Sequence, residues 1–328
     1  MKKKILAVDD EPNNLKMLNL ILSDDYDVMF AVDGVKAIEV AIAHRPDLIL
    51  LDIMMPDMNG YEVCKKLMER QETKDIPVIF VTAMSEIADE AHGFDVGAVD
   101  YIHKPISAPI LLRRIETHLS LVKMHTLEKS YEEATHMLGH AGHYNDTDTG
   151  VHIWRMAAYA CALATAAGWS ESDVEDLRLA APMHDLGKIG IPDEILKAQR
   201  RLTAEEWIVM RTHCAIGSNI LRESNCKVFV MAAEIAQSHH ERWDGSGYPE
   251  GLVGDAIPES ARIVALADVF DALTMKRPYK EPWSIEDSLA EIQKGAGRHF
   301  DPRLEALFEK ILPQLLQIKE KWEKESPI

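Results

Sequence analysis

The chain has 328 residues, 47% of them hydrophobic, which predicts about two domains, each able to bury a core. Its formal net charge of −18 argues against sequence-independent binding to nucleic acid, which draws on Lys and Arg, and leaves room for an anionic small substrate met through bound cations. No apolar run is long enough for a membrane span, and the basic Met1–Lys4 leads into too short an apolar stretch for a secretory leader. The cysteines Cys64, Cys161, Cys214 and Cys226 lack C-x-x-C spacing and read as free thiols of a cytoplasmic protein.

Residues 1–123 alternate short apolar runs with amphipathic stretches. The runs are Ile5–Val8, Val28–Val32, Leu48–Leu51, Val78–Val81 and Val99–Ile102. Between them lie helical patterns such as Leu15, Leu18, Leu22 and Val35, Ile38, Ile42. Five strands alternating with helices predict a parallel sheet covered on both faces. Asp9, Asp10, Asp52, Thr82 and Lys104 fall just after these runs, at the strand ends where open α/β sheets place their ligands.

From about Pro109 to Leu138 the pattern predicts one long helix. Leu112, Ile115, Leu119 and Val122 recur at helical spacing, and Leu127, Tyr131, Ala134 and Leu138 recur out of phase with them. The phase break suits a dimerising signal helix, the alternative being a docked helix plus linker. Residues 124–139 are read as a helical linker. An all-α domain is expected over 140–315, with helices at Ile153–Ala167, Glu175–Met183, Ala204–Ile216, Val228–Ser238, Ile263–Met275 and Ile285–Lys294. Residues 316–328 read as a charged tail that frays.

Two chemistries stand out. Asp9, Asp10 and Asp52 would repel one another unless a cation sat among them, and oxygen ligands suit Mg²⁺. A carboxylate there can accept a phosphoryl group, with Lys104 offsetting its charge and Thr82 hydrogen-bonding it. In the second half, His152, His184, Asp185, His213, His239, His240 and Asp268 are more ligands than one ion needs. A lone helical histidine is usually structural, but His184-Asp185 and His239-His240 are doublets. Asp185 is placed to bridge two ions. His152 and Asp268 would complete one shell, and His213, His239 and His240 the other. Two ions about 3.5–4 Å apart can hold a bridging hydroxide and stabilise phosphodiester hydrolysis, and Lys188, four residues after His184, can assist on the same face.

The segments around Asp9-Asp10, Leu51-Asp52-Ile53-Met54-Met55-Pro56, Asn59-Gly60, Thr82-Ala83 and Lys104-Pro105 resemble receiver domains of two-component signalling. The resemblance implies a flavodoxin-like fold and a histidine-kinase partner. It makes Asp52 the phosphoacceptor, Asp9, Asp10, Asp52 and the Met54 carbonyl the Mg²⁺ ligands, and Thr82 and Tyr101 the switch pair alongside Lys104. The strings His184-Asp185-Leu186-Gly187-Lys188, His239-His240-Glu241-Arg242-Trp243-Asp244-Gly245-Ser246-Gly247-Tyr248-Pro249, Ala267-Asp268-Val269-Phe270-Asp271-Ala272-Leu273-Thr274 and Arg277-Pro278-Tyr279-Lys280 resemble the HD-GYP domain, a branch of the HD hydrolases.

That second resemblance implies hydrolysis of cyclic di-GMP to pGpG and on to GMP, with the seven residues above as ligands of Fe or Mn. It also implies a catalytic role for Lys188 and Asp185, and substrate contacts from Arg277, Lys280 and Tyr248. The Gly247-Tyr248-Pro249 loop is expected to contact partners such as diguanylate cyclase domains, and a homodimer is expected. Three-metal members carry Glu four residues before the first ligand His, where this chain has Asp148, so two and three ions both stay open. His136, His140 and His143 read as solvated histidines in preference to an auxiliary metal site, and Trp243 either stacks on guanine or packs as core or lid. Two other functions stay open: a weakly catalytic sensor or docking module, and a phosphodiesterase for another cyclic dinucleotide.

Overall fold

A computed structural model describes residues 2–82, 94–143, 151–275 and 281–325. Asp148, Arg277 and Lys280 lie outside them. The chain divides into two compact units, Met1–Lys129 and Ser130–Ile328.

In the first unit the strands are β1 (Lys4–Val8), β2 (Asp27–Ala31), β3 (Leu48–Asp52), β4 (Val78–Thr82) and β5 (Asp100–His103). They form one parallel sheet in the order β2-β1-β3-β4-β5, the arrangement expected from the alternating pattern. Every residue of β3 and β4 is buried, as a sheet covered on both faces requires. Side chains alternate between those faces. Leu6, Val8, Ile49, Leu51 and Phe80 pack with Ala37, Ala41, Val63 and Leu67. On the other face, Ile5, Ala7, Leu48, Leu50, Ile79 and Val81 pack with Leu15, Leu18, Leu22, Leu111 and Ile115.

The helices packed there start where local chemistry starts them. Helix α1 (Pro12–Leu22) opens on a proline, whose missing N–H costs nothing in a first turn. Asp33 caps α2 (Gly34–His44) by accepting from the Lys36 amide, and Asn59 with Glu62 forms a reciprocal cap on α3 (Gly60–Met68). A Cβ at Gly60 would stand 2.4 Å from the Asp52 carbonyl oxygen, so only glycine lets α3 begin against the end of β3. Because the chain crosses to opposite sides after β1 and β3, their carboxyl ends form a crevice holding Asp9, Asp10 and Asp52.

Helix α4 (Ala108–His143) is longer than the sequence pattern implied and contains the whole of residues 124–139. Its residues 121–130 are exposed at every position. In the second unit follow α5 (Val151–Ala166), α6 (Glu171–Ala180), α7 (Asp193–Leu196), α8 (Ala204–Arg211), α9 (His213–Leu221), α10 (Lys227–Ser238), α11 (Glu259–Thr274), α12 (Ile285–Lys294), α13 (Pro302–Lys310) and α14 (Leu312–Glu325). The core joins Met156, Tyr159 and Leu163 of α5 to Leu177 of α6, Ile235 of α10, Phe270 of α11 and Phe308 of α13.

Three local readings change. The helix expected over Ala204–Ile216 is two helices parted at Thr212, which makes His213 the first residue of α9. Glu175–Met183 ends early, in a 3₁₀ turn at Ala181–Met183. Residues 316–325, expected to fray, are helical, because Leu315 is buried and Ile318 packs on the core.

Candidate functional site

In the first unit, Lys104 reaches both acids at the sheet edge. Its Nζ lies 2.9 Å from Asp9 Oδ2 and 3.1 Å from Asp52 Oδ2. Asn14 donates to Asp9, and the Met54 amide bonds the Asp52 carboxylate. Burial pushes the Asp52 carboxyl above its ordinary value, against the opposing pull of Lys104. Asp9, Asp10 and Asp52 each bring an oxygen within 4.8 Å of the others, a donor set that fits a hard cation such as Mg²⁺. Thr82 and Tyr101 are buried, and the Tyr101 ring lies 5.3 Å from both Phe80 and Phe94. Asp9, Asp10, Asp52 and Lys104 therefore stand together, with Met54 exposed.

In the second unit, Asp185 sits between two sets of imidazoles. Its Oδ1 faces His213 Nε2 at 3.5 Å and His239 Nε2 at 3.6 Å. Its Oδ2 faces His184 Nε2 at 3.2 Å and Lys188 Nζ at 2.8 Å. Asp185, His213, His239 and His240 can each offer an atom within 4.8 Å of the others. His152 Nε2 points at Asp268 Oδ1, 3.6 Å away.

Short-range structure explains these positions. Asp185 and Lys188 flank the start of a 3₁₀ helix at Leu186–Gly190, whose three-residue turn puts i and i+3 side by side. A Cβ on Gly187 would fall 1.9 Å from the His213 carbonyl oxygen, so glycine is what lets this turn lie against the start of α9. His239 and His240 follow the end of α10.

Three of the imidazoles are held in the same way. Nδ1 of His184 donates to the Ala181 carbonyl at 3.0 Å, that of His213 to Met210 at 2.7 Å, and that of His239 to Ile235 at 3.1 Å. Each bond fixes the tautomer with its proton on Nδ1 and aims Nε2 inward as an acceptor. Nε2 of His184 and His239 and Oδ1 of Asp185 are buried without a hydrogen-bond partner among the described residues. Orphaned acceptors converging on one volume are costly as they stand, and they fit transition-metal ions taking N and O ligands. Burial drives His213 down to about 4 and lowers His184 and His240, so these rings are neutral and able to ligate at neutral pH. Burial would raise the Asp185 carboxyl, but Lys188 and the neighbouring imidazoles hold it well below the ordinary range. Cys214 stays a thiol, its pKa pushed up to about 12 by burial.

Several participants escaped the sequence reading. Asp271, fully buried, accepts from His152 Nδ1 and binds Arg155 through both ends of the guanidinium, at 2.5 and 2.8 Å. It lies three residues after Asp268 on α11, a spacing that could have drawn attention to it. The buried Glu241 holds the following loop by accepting from the amides of Glu250, Gly251 and Leu252. Tyr248 stacks on His240 with centroids 4.7 Å apart, and the guanidinium carbon of the exposed Arg211 lies 4.7 Å from the centroid of the Tyr248 ring. Tyr248 and Arg211, together with Ala204, Trp207 and Ile208, line a cavity of about 570 Å³.

Two histidine expectations change. His143, read as solvated, is buried 3.6 Å from Asp185, because α4 runs five residues further than the pattern showed. His136 stacks on Trp154 with centroids 3.6 Å apart, whereas His140 is exposed as expected. Trp243 is half-buried under Arg262 and lines a small cavity with Ile257 and Phe300.

Comparison with known proteins agrees with both halves of this geometry. A model of the response regulator receiver domain matches residues 5–116, and a model of the HD domain matches residues 121–304. A probable cyclic di-GMP phosphodiesterase of Vibrio cholerae is 40% identical over 331 residues, covering 91% of this chain and 75% of that one. The cyclic di-GMP phosphodiesterase response regulator RpfG of Xanthomonas campestris is 38% identical, covering 91% of this chain and 85% of its own. A 3'3'-cGAMP-specific phosphodiesterase 2 of Vibrio cholerae is 45% identical over 178 residues, covering 54% of this chain and 34% of its own. With a receiver match over the α/β unit, an HD match over the helical unit and relatives that run through both, this chain belongs to the response regulators that join a receiver domain to an HD hydrolase domain, the cyclic di-GMP phosphodiesterase family.

Proposed function

We propose that this protein hydrolyses a 3',5'-phosphodiester of cyclic di-GMP to linear pGpG, and pGpG on to GMP, under the control of phosphorylation at Asp52. The observation that carries the reading is Asp185, whose Oδ1 faces the inward-pointing His213 and His239 and whose Oδ2 faces His184 with Lys188 alongside. His184, Asp185, His152 and Asp268 would hold one Fe or Mn ion, and Asp185, His213, His239 and His240 a second, with Asp148 as the residue that would take a third. When bound, adjacent ions supply an activated hydroxide and neutralise charge developing on the phosphodiester.

The chain's own residues do the rest. The carbonyls behind His184, His213 and His239 keep each Nε2 unprotonated. Lys188 offsets charge on Asp185 and, turned to substrate, on a phosphoryl oxygen. Arg211, Tyr248, Arg277 and Lys280 bind the dinucleotide, the arginines through their forked donors. In the receiver unit Asp9, Asp10, Asp52 and the Met54 carbonyl hold Mg²⁺, Lys104 meets the phosphoryl group, and Thr82 with Tyr101 changes packing in response. A cytoplasmic histidine kinase supplies that group. The working boundaries are 1–123, 124–139, 140–315 and 316–328. The exposed Leu121, Val122, Met124 and Leu127 on α4 support pairing of two chains along that helix, and the Gly247-Tyr248-Pro249 loop would dock diguanylate cyclase domains.

The test is turnover of cyclic di-GMP by protein loaded anaerobically with Mn²⁺ or Fe²⁺, with Asp185→Ala as control. Product from the wild type and none from the variant is expected; no product from either metal form overturns the reading. The resemblance to a cGAMP-specific phosphodiesterase favours a second reading, in which 3'3'-cGAMP is the preferred substrate. Competition between the two dinucleotides decides between them.

A further inference from the structure

One imidazole at this centre has no part in the reading above. His143, the last residue of α4, is 5% exposed. Its Nδ1 donates to the Gly139 carbonyl at 3.2 Å, the same arrangement that holds His184, His213 and His239. Its Nε2 is buried, has no hydrogen-bond partner among the described residues, and lies 3.6 Å from Asp185 Oδ2. Its ring stands 5.2 Å from that of His184. His143, His184 and Asp185 can each present one ligand atom within 4.8 Å of the others.

With Nδ1 donating to the carbonyl, Nε2 is the nitrogen that faces the carboxylate oxygen, and in the form of the ring that can ligate it presents a lone pair there. Two acceptors facing each other in a buried site repel unless a cation lies between them. The contact is also too long for a direct hydrogen bond. We propose that His143 is a further metal ligand, binding the ion on the Oδ2 side of Asp185 together with His184. The imidazole-rich donor set suits Mn, Fe, Co, Ni or Zn in preference to Mg or Ca. This inference rests on the metal-centre reading of Asp185 and adds a ligand to it.

The experiment uses the full chain loaded anaerobically with Mn²⁺ or Fe²⁺, and measures metal atoms per chain during graded chelation together with X-ray absorption of the bound ion. The variants are His143→Ala, His143→Glu and, on the same helix, His136→Ala. His143→Ala is expected to release metal at least about tenfold more readily and to show one fewer imidazole on the ion. His143→Glu, whose carboxylate has comparable reach, retains metal with an altered absorption spectrum, and His136→Ala matches the wild type. Unchanged retention and spectra in both His143 variants overturn this inference alone. Failure of the wild type to bind metal overturns it together with the reading of the whole centre.

Discussion

Replacing Asp271 by Asn would separate the positioning of His152 from the stability of the fold. Asp271 is fully buried and accepts from His152 Nδ1 and from Nε and Nη2 of Arg155, itself 2% exposed. An asparagine keeps the shape but loses the charge, and its NH₂ must face one of those donors. Arg155 then becomes a buried cation without the carboxylate it is bonded to, which costs about 3–5 kcal/mol, a large share of the roughly 5–15 kcal/mol of a typical domain. With the NH₂ in the place of Oδ2, His152 loses the acceptor that fixes its tautomer, which typically weakens metal binding about 10- to 100-fold. All six tryptophans lie between Trp154 and Trp322, so urea denaturation followed by tryptophan fluorescence reports the second unit selectively. Adding Arg155→Met to Asp271→Asn removes the stranded cation, and the double variant should regain most of the stability without regaining metal affinity. An Asp271→Asn protein within about 0.5 kcal/mol of the wild type, with unchanged metal affinity, would refute the reasoning.

Three further outcomes are expected. Gly187→Ala places a Cβ 1.9 Å from the His213 carbonyl oxygen; the backbone shift should cost about 1–3 kcal/mol and reduce bound metal, and a crystal structure with His213 unmoved would contradict this. Asp52→Asn should abolish labelling by a small-molecule phosphoryl donor, read on a phosphate-affinity gel, and should remove any donor-dependent change in hydrolysis; labelling that persists would place the acceptor elsewhere. In the metal-free protein, burial depresses the His213 imidazole to about 4 and lowers His184 and His240. The unfolded chain protonates its histidines near roughly 6.5, so it binds protons first as the pH falls. The stability associated with these neutral rings is therefore complete above about 6.5 and is lost on acidification toward 4. Urea midpoints at pH 7.5, 6 and 5 measure this, and a flat profile would count against it.

Most of both centres was legible in the order of residues. Apolar runs of strand length, each ended by an acid or a lysine, specify a parallel sheet with its polar groups at one edge, since strand ends collect whatever follows the runs. The doublets His184-Asp185 and His239-His240 likewise pointed to a candidate metal centre, because adjacent residues of ligating type are uncommon by chance. Where the sequence was silent, packing had decided. Nothing in the periodicity of α4 showed that it runs to His143, since the last residue of its apolar pattern is Leu138. The break at Thr212, which turns His213 toward Asp185, is a backbone event inside an apparently continuous helical pattern.

The chain by itself determined which ligands and acids were available and which strand or helix each would ride on, because local periodicity and short motifs are properties of neighbours in sequence. Only the tertiary structure decided how they divide around Asp185, that Asp271 holds His152 across a separation of 119 residues, and that His143 is buried beside them. Those relations depend on contacts between distant segments, where distance, burial and the direction of a lone pair are set by packing.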